Sequence, residues 1–306
     1  MFYCRDTPRE RNVTPVSDAM WSAEMFEGHR ARLRAVAYRM LGSASEADDA
    51  VQETWLRADR AGADGVDNIA GWLTTITGRV CLNLLRTRDR RREDPLESRP
   101  ADPVTGDAPE QEAVLADAVG VALLVVLDRL SPAERLAFVL HDLFAVPFDE
   151  IAPLLERSPA AVRQLASRAR RRVGGDGPRP QADPVRRRRA VEAFLAATRG
   201  GDFDALVGLL HPDVVLHADR FVVPTPEPIT ARGAGTVARG AMAATGRALF
   251  TGLALLDGAV GLVMAPHGRL ALVLAFTFAE DGRISGIEVV ADRERLAALD
   301  IAPLKD

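Results

Sequence analysis

The sequence predicts a multidomain chain: two all-α helical units, the second holding a helix-turn-helix, followed by an α+β domain on a curved antiparallel sheet. Three observations predict it. Apolar residues recur at helical spacing through residues 23–173, as in Phe26, Leu33, Val36, Ala37, Met40 and Leu41. Residues 148–173 join two short amphipathic patterns through Ser158 and Pro159, the cap and first-turn proline that start a second helix. After about residue 210 the pattern changes to short β-prone runs, with Asp257-Gly258, His267-Gly268 and Asp281-Gly282 between them as turn signals.

In chain order, residues 1–22 mix proline, charge and isolated apolar residues without a period. They predict a disordered tail, or sequence upstream of a start at Met20. Residues 23–92 predict the first helical unit. Gly42 and Ser43 separate its first two helices, and Ser45 ahead of Glu46, Asp48 and Asp49 is the expected N-cap of the second. Gly62 and Gly65 break the chain before a third helix at 69–92, which is expected to bury Trp72, Leu73, Ile76, Val80 and Leu84 and ends in a basic tract from Arg86 to Arg92.

Residues 93–112 combine Pro95, Pro100, Pro103 and Pro109 with repeated Asp and Glu, a composition that cannot bury a core and predicts an extended acidic linker. The second unit, 113–173, opens on a near-continuous apolar helix, VGVALLVVLDRL. A second linker, 174–184, leads to the α+β domain at 185–306. Its helices are expected at 185–198 and 202–210, and its strands at 214–218, 248–256, 259–265, 270–279 and 284–291.

A hydrophobic fraction of 47% and a charged fraction of 27% are those of an ordinary globular protein. No run approaches the ~20 apolar residues of a membrane span, and the N-terminus lacks the apolar core of a signal peptide, so a cytoplasmic location is expected. Cys4 and Cys81 are too few and too far apart for a disulfide framework or a zinc site, and Cys81 falls on an apolar helical face as a core residue. No metal or cofactor is expected. The net charge of −4 argues against a uniformly basic nucleic-acid binder, but the arginines are clustered, and binding responds to the local field.

The densest cluster runs from Arg157 through Arg163, Arg168, Arg170, Arg171 and Arg172, with no acidic residue between Arg157 and Val173. Arginines on an exposed helix neutralise phosphates and reach guanine edges in the major groove, while the preceding helix, with Asp149, Glu150 and Glu156, suits a supporting role. A solvated basic helix end is the plainer alternative.

Two helical units, the first holding SEADDAVQETWLRA and a GWL-initiated helix and the second ending in VRQLASRARRRV, resemble the extracytoplasmic-function group of sigma-70 factors over residues 23–173. The C-terminal segment resembles the SnoaL-like (nuclear-transport-factor-like) α+β cone, which one sigma subgroup carries behind its second DNA-binding unit. That subgroup follows the first cone strand with an Asp and several glycines; here the stretch reads HADRFVVPTPEP, retaining Asp219 without the glycines.

The resemblance implies a transcription initiation factor, not an enzyme, whose partners are core RNA polymerase and promoter DNA. It assigns polymerase docking to Asp48, Asp49, Gln52 and Glu53. Reading of the −10 element falls to Asp67, Asn68, Arg79, Asn83 and Arg86, with Arg88 also on phosphates, and the −35 element to Arg163, Gln164, Ser167, Arg168 and Arg171. The acidic linker would thread the RNA exit path. Trp72 is expected in the core more than as a stacking platform.

A small-molecule ligand or an intramolecular contact is expected of the cone. An eleven-residue flexible tether reaches only on the order of 20 Å, so the cone is expected to stay beside the helical units and regulate them, through 219–229 and 237–244. Two rival classes remain. A helix-turn-helix regulator with a ligand-sensing cone leaves residues 23–92 without a task. A cyclase or isomerase would draw on His211, Asp213, His217 and Asp219, for which the sequence places no second acid–base partner.

Overall fold

The computed structural model describes residues 23–93, 114, 116, 119–174, 183–223 and 227–304. The expected tail at 1–22, the acidic linker from 94 on and the second linker at 175–182 lie outside the described residues.

The first unit is three helices, α1 (Ala23–Leu41), α2 (Ala44–Ala61) and α3 (Ile69–Glu93). Phe26 and Leu33 of α1, Val51 and Ala58 of α2 and Leu73 of α3 bury one another, and the Phe26 and Trp55 rings meet edge to face at 5.1 Å. Trp72 packs against the same cluster, as its expected core role requires. Gly42 stops α1 at φ 77°, its N–H donating to Tyr38 O at 2.8 Å. The chain re-enters helix at once, so the N-cap of α2 is Ser43 and not the expected Ser45, whose hydroxyl instead shares a 3.0 Å hydrogen bond with that of Ser43. Leu84, expected in the core, is 40% exposed, while Cys81 is fully buried and its thiol is pushed up to about 12 by burial, which leaves it inert.

The second unit holds α4 (Val121–Asp128), α5 (Pro132–Phe138), a single π turn (Val139–Leu143), α6 (Phe148–Leu155) and α7 (Pro159–Gly174). Ser131 and Glu134 form a reciprocal capping box at the start of α5. In the helix-turn-helix, Glu156 ends α6 in the left-handed region at φ 54°, and Ser158 Oγ accepts from Ala161 N at 3.3 Å to start α7.

The units share a core. A Cβ on Gly78 of α3 would sit 3.0 Å from Leu140 Cδ1 and 3.2 Å from Leu136 Cδ1, so the missing side chain lets these leucines of the second unit pack closely on α3. Arg135, 5% exposed, crosses between them, donating to Met40 O at 2.9 Å and pairing with Asp128 at 3.3 Å. The Arg32 guanidinium donates to Phe144 O at 3.0 Å.

The cone domain begins with α8 (Pro184–Gly200) and α9 (Phe203–Leu209) and continues through β1 (Leu210–Ala218), β2 (Ile229–Arg232), α10 (Ala234–Met242), α11 (Thr245–Ala248), β3 (Thr251–Leu256), β4 (Ala259–Met264), β5 (Leu272–Phe278), β6 (Ile284–Val290), α12 (Arg293–Ala298) and β7 (Ile301–Ala302). The sheet order is β2-β1-β6-β5-β4-β3-β7. β3 to β6 form the antiparallel meander that the turn signals predict, with Asp257 and Gly258 both at positive φ between Leu256 and Ala259. The sheet is not wholly antiparallel, however: β1 pairs parallel with β6, because the chain crosses through β2, α10 and α11 before entering the meander.

Alternation along these strands gives the sheet two apolar faces. Val263 and Val273 join the core shared with the helical units, whereas Leu262 and Leu272 face the cone's own core. Against the first face lies α4, whose VALLVVLD sequence has no polar stripe because it is covered by helices on one side and by β3, β4 and β7 on the other. Gly252 makes room for it, since a Cβ there would lie 2.9 Å from Val121 Cβ. The cone therefore docks through Gly252, the 266–268 turn and the segment around α12. The sequence-based expectation of docking through 219–229 and 237–244 is corrected: Val222, Val223, Ile229 and Val237 line a cavity inside the cone.

Candidate nucleic-acid interface

Three surfaces carry the candidate residues. On α2, Asp48, Asp49 and Gln52 are exposed and Glu53 is half-buried, because Ala47, Ala50, Val51 and Thr54 take the inward positions of the same turns. Asp48 accepts two hydrogen bonds from Arg34 at 2.6 and 3.0 Å, which raise the Arg34 guanidinium above its ordinary value, and Glu53 pairs with Arg57 at 2.8 Å. The result is a carboxylate face on which Asp49, beside the neutral amide of Gln52, has no ion pair among the described residues, suited to a basic partner.

On α3, Arg79, Asn83, Arg86 and Arg90 are exposed at helical spacing and form one stripe, opposite buried Val80, Cys81, Leu82 and Leu85. Asp67 and Asn68 lie at the head of the helix, both exposed. Asn68 Oδ1 accepts from Gly71 N at 2.9 Å, so its side-chain carbonyl oxygen caps the start of α3. Arg88, expected on phosphates, turns the other way: it donates to Leu41 O at 3.1 Å and is ion-paired with Glu46. Its position falls on the inner side of the stripe.

On α7, Arg163, Gln164, Ser167, Arg168 and Arg171 are all exposed on the face opposite buried Val162, Leu165, Ala166 and Ala169. The Arg163 guanidinium stacks 5.3 Å over the Phe148 ring, which fixes the entry of α7 against α6. Arg172 pairs with Glu134 at 3.0 Å and Arg170 with Asp142 at 2.6 Å, tying those two arginines to the supporting helices. Glu134 also lies 3.9 Å from Arg168.

One groove of about 660 Å³ joins the ends of the two stripes: Arg86 and Arg90 of α3 and Arg168 of α7 line it, together with Arg157 and the start of α5 from Ser131 to Glu134. Arg90 and Arg157 were not among the sequence-derived site residues. Arg90 lies one turn beyond Arg86 in the basic tract that ends α3, and Arg157, in the turn before α7, opens the densest arginine cluster of the sequence; neither was assigned to a promoter element.

None of the candidate acid–base groups in the cone lines its cavity. Asp213 N donates to His211 Nδ1 at 3.2 Å, and His217 Nδ1 meets Thr230 Oγ1 at 3.0 Å on the exposed side of β1. Asp219 accepts from Phe221 N, Ala291 N and Asp292 N at 3.0, 2.7 and 2.9 Å. Burial alone would push its carboxyl up, but these backbone donors, with Arg295 nearby, hold it below the ordinary carboxylate value. Among the described residues, no cluster of His, Cys, Asp and Glu could hold a metal ion, and no helix is long and apolar enough to cross a membrane.

Comparison with known proteins bears directly on these surfaces. Sigma-70 region 2 matches residues 25–91 and Sigma-70 region 4 matches residues 120–173. The ECF RNA polymerase sigma factor SigJ of Mycobacterium tuberculosis is 37% identical over 297 residues, covering 92% of this chain and 94% of that protein. The chain belongs to the extracytoplasmic-function sigma factors. The probable ECF sigma factor SigI of the same organism is 38% identical over 214 residues, 67% of this sigma factor and 70% of SigI. The crystal structure of M. tuberculosis SigJ is 34% identical with a TM-score of 0.43, covering 93% of this sigma factor and 100% of that chain. As a sigma factor, the protein directs core RNA polymerase to promoters. Regions 2 and 4 are the first and second helical units, so the α2, α3 and α7 surfaces lie within them.

Proposed function

We propose that this sigma factor is held closed by its own cone domain and reads a promoter only after its two helical units separate. The observation that carries this is the shared groove between α3 and α7. By their names the −10 and −35 elements lie about 25 base pairs apart, on the order of 80 Å of duplex at ~3.4 Å per step. Two stripes whose members Arg86 and Arg168 line one groove cannot lie on both elements at once.

In the open state Asp48, Asp49, Gln52 and Glu53 dock the basic surface of core polymerase. Asp67, Asn68, Arg79, Asn83 and Arg86 hold the opened −10 strand, and Arg163, Gln164, Ser167 and Arg168 enter the −35 major groove with Arg171 on its phosphates. The cone acts as a clasp, not as a catalyst: Arg129, at the end of α4, donates to Leu296 O and Leu299 O, each at 2.7 Å. The protein acts in the cytoplasm, where polymerase and promoter are found.

The test compares the full chain with Arg129→Met, which keeps the stem and removes the donors. Run-off transcription with core enzyme and small-angle scattering are measured together. The variant is expected to be more extended and to transcribe faster at equal concentration. A more extended variant that transcribes at the unaltered rate would overturn the closure.

A further inference from the structure

The cone encloses a cavity of about 330 Å³ between α8, α10 and α11 and the inner face of the sheet. Protein interiors are close-packed, and voids much larger than a water molecule are few. This one is walled by Leu216, Leu262, Met264, Leu272, Leu274 and other apolar side chains, with exposed Arg247 also in its lining. Its volume falls in the range of small-molecule sites. At ~30 Å³ for each water-sized group it holds about ten non-hydrogen atoms.

The polar inventory of the wall is small. Thr198 Oγ1 donates to Phe194 O at 2.8 Å and Thr251 Oγ1 to Arg247 O at 3.1 Å, so both hydroxyl protons are used. Thr236 Oγ1 accepts from Arg239 at 3.4 Å. Among the described residues, the lining contains no Asp, Glu, His, Cys or Lys, and its single charge is Arg247, exposed and donating one long hydrogen bond, 3.4 Å, to Val222 O. An apolar chamber with one guanidinium at its mouth is complementary to an amphiphile of one sign: an apolar body inside, an anionic head outside.

We propose that the cone cavity is a binding site for a small apolar carboxylate, with its hydrocarbon between α10 and the sheet and its head on Arg247. The site stands on this geometry alone; only its consequence for transcription rests on the closure proposed above. That consequence follows from chain continuity. Met264 lines the cavity, and three residues further on the carbonyl of His267 lies against Gly42 of the first unit. Thr251 lines it too, and the next residue, Gly252, lies against Val121 of α4. The strand ends that the ligand touches are therefore the ones that clasp the helical units, and a ligand with different affinity for the closed and open cones shifts the balance between them.

The probe is octanoate, titrated calorimetrically into the full chain, with octanol and octylamine as isosteres of other head chemistry. Saturable octanoate binding is expected, at least tenfold tighter than octylamine and tighter than octanol. Arg247→Gln, at the surface, should remove the preference among heads, and Ala241→Phe on α10 should abolish binding of all three with an unchanged circular dichroism spectrum. Absence of saturable binding overturns the site. So does undiminished binding in the Ala241→Phe chain, whereas octylamine or octanol binding as tightly as octanoate overturns the carboxylate assignment. Saturating octanoate should change the run-off rate at least threefold; binding without that change overturns the coupling.

Discussion

Gly42 and Gly268 meet backbone to backbone across the junction of the first helical unit and the cone. A Cβ on Gly42 would lie 2.8 Å from His267 O, and one on Gly268 would lie 2.9 Å from Gly42 Cα. Both residues also sit at positive φ, 77° and 69°, so each position is closed to other residues twice, by space and by backbone conformation. Gly268→Val is expected to cost about 1–3 kcal/mol locally and to wedge the cone off α1. Scattering should report a larger radius of gyration, with helix content by circular dichroism unchanged. An unaltered radius would mean that the turn yields and the junction does not depend on this approach.

The recognition surface makes a two-part prediction. Arg168→Ala should weaken −35-dependent transcription by ~1–3 kcal/mol, with the loss varying by promoter sequence. Arg171→Ala should weaken all promoters alike and lower the salt slope by about one. Arg172 is a poor choice for that second comparison, because its pairing with Glu134 makes its loss a folding effect as well. Run-off rates on a promoter panel at several salt concentrations separate the two; a uniform loss in Arg168→Ala would remove α7 from base reading.

On α2, reversing Asp49 and Glu53 to Lys should lower affinity for core polymerase by tenfold or more, with the melting temperature within a few degrees of the parent. Glu53 pairs only with Arg57 of its own helix among its described ion pairs, and exposed pairs of this kind contribute about 0.3–0.5 kcal/mol. Unchanged core affinity in a pull-down titration would rule out the acidic face as the dock.

Asp219 gives a pH dependence whose sign is fixed. Its carboxyl is held below the ordinary value of about 3.9 in the folded state. The stabilisation is therefore complete above that value and is lost as pH falls through the lower folded one. Asp219→Ala, which strands three backbone donors, should cost about 1–3 kcal/mol at pH 7. The gap in urea midpoints between parent and variant should narrow below about pH 4; a gap that persists at pH 3 would mean that packing, not charge, is what the side chain supplies.

The helix-turn-helix was legible because its signals are local: Ser158 and Pro159 at the start of α7, and an apolar face within one turn of each. The meander was legible for the same reason, through Asp257-Gly258. The β1–β6 parallel pairing was not, since it joins residues some seventy positions apart and leaves no mark on either strand. The same limit explains the misplaced docking surface. Polarity and proline in 219–229 read as a contact loop, but its described residues Val222, Val223 and Ile229 line the cavity, while the junction is made by glycines whose importance is visible only once the opposing backbone is in place. The apolar run of α4 announced burial on every side without naming what covers it, because hydrophobic burial is non-directional. In the candidate site, the exposed stripes on α3 and α7 followed from helical spacing. The inward turn of Arg88 depended on Glu46 and the end of α1, which one-dimensional spacing does not bring near.

The placement of α4 also sets an order on synthesis. Residues 121–128 leave the ribosome long before the strands that cover them, β3 and β7, have been made. At ~5–20 residues per second, the interval from residue 128 to residue 302 lasts about 10–35 s. From residue 174 onward the nascent chain holds both α3 and α7 but cannot seal the sheet-facing side of Val121 and its neighbours. A truncation after Val173 would make that interval permanent, so a shortened chain tests solubility before it tests control. A ribosome that stalls early releases an adhesive fragment, not an unregulated factor, and quality control by chaperone and protease falls on the incomplete product.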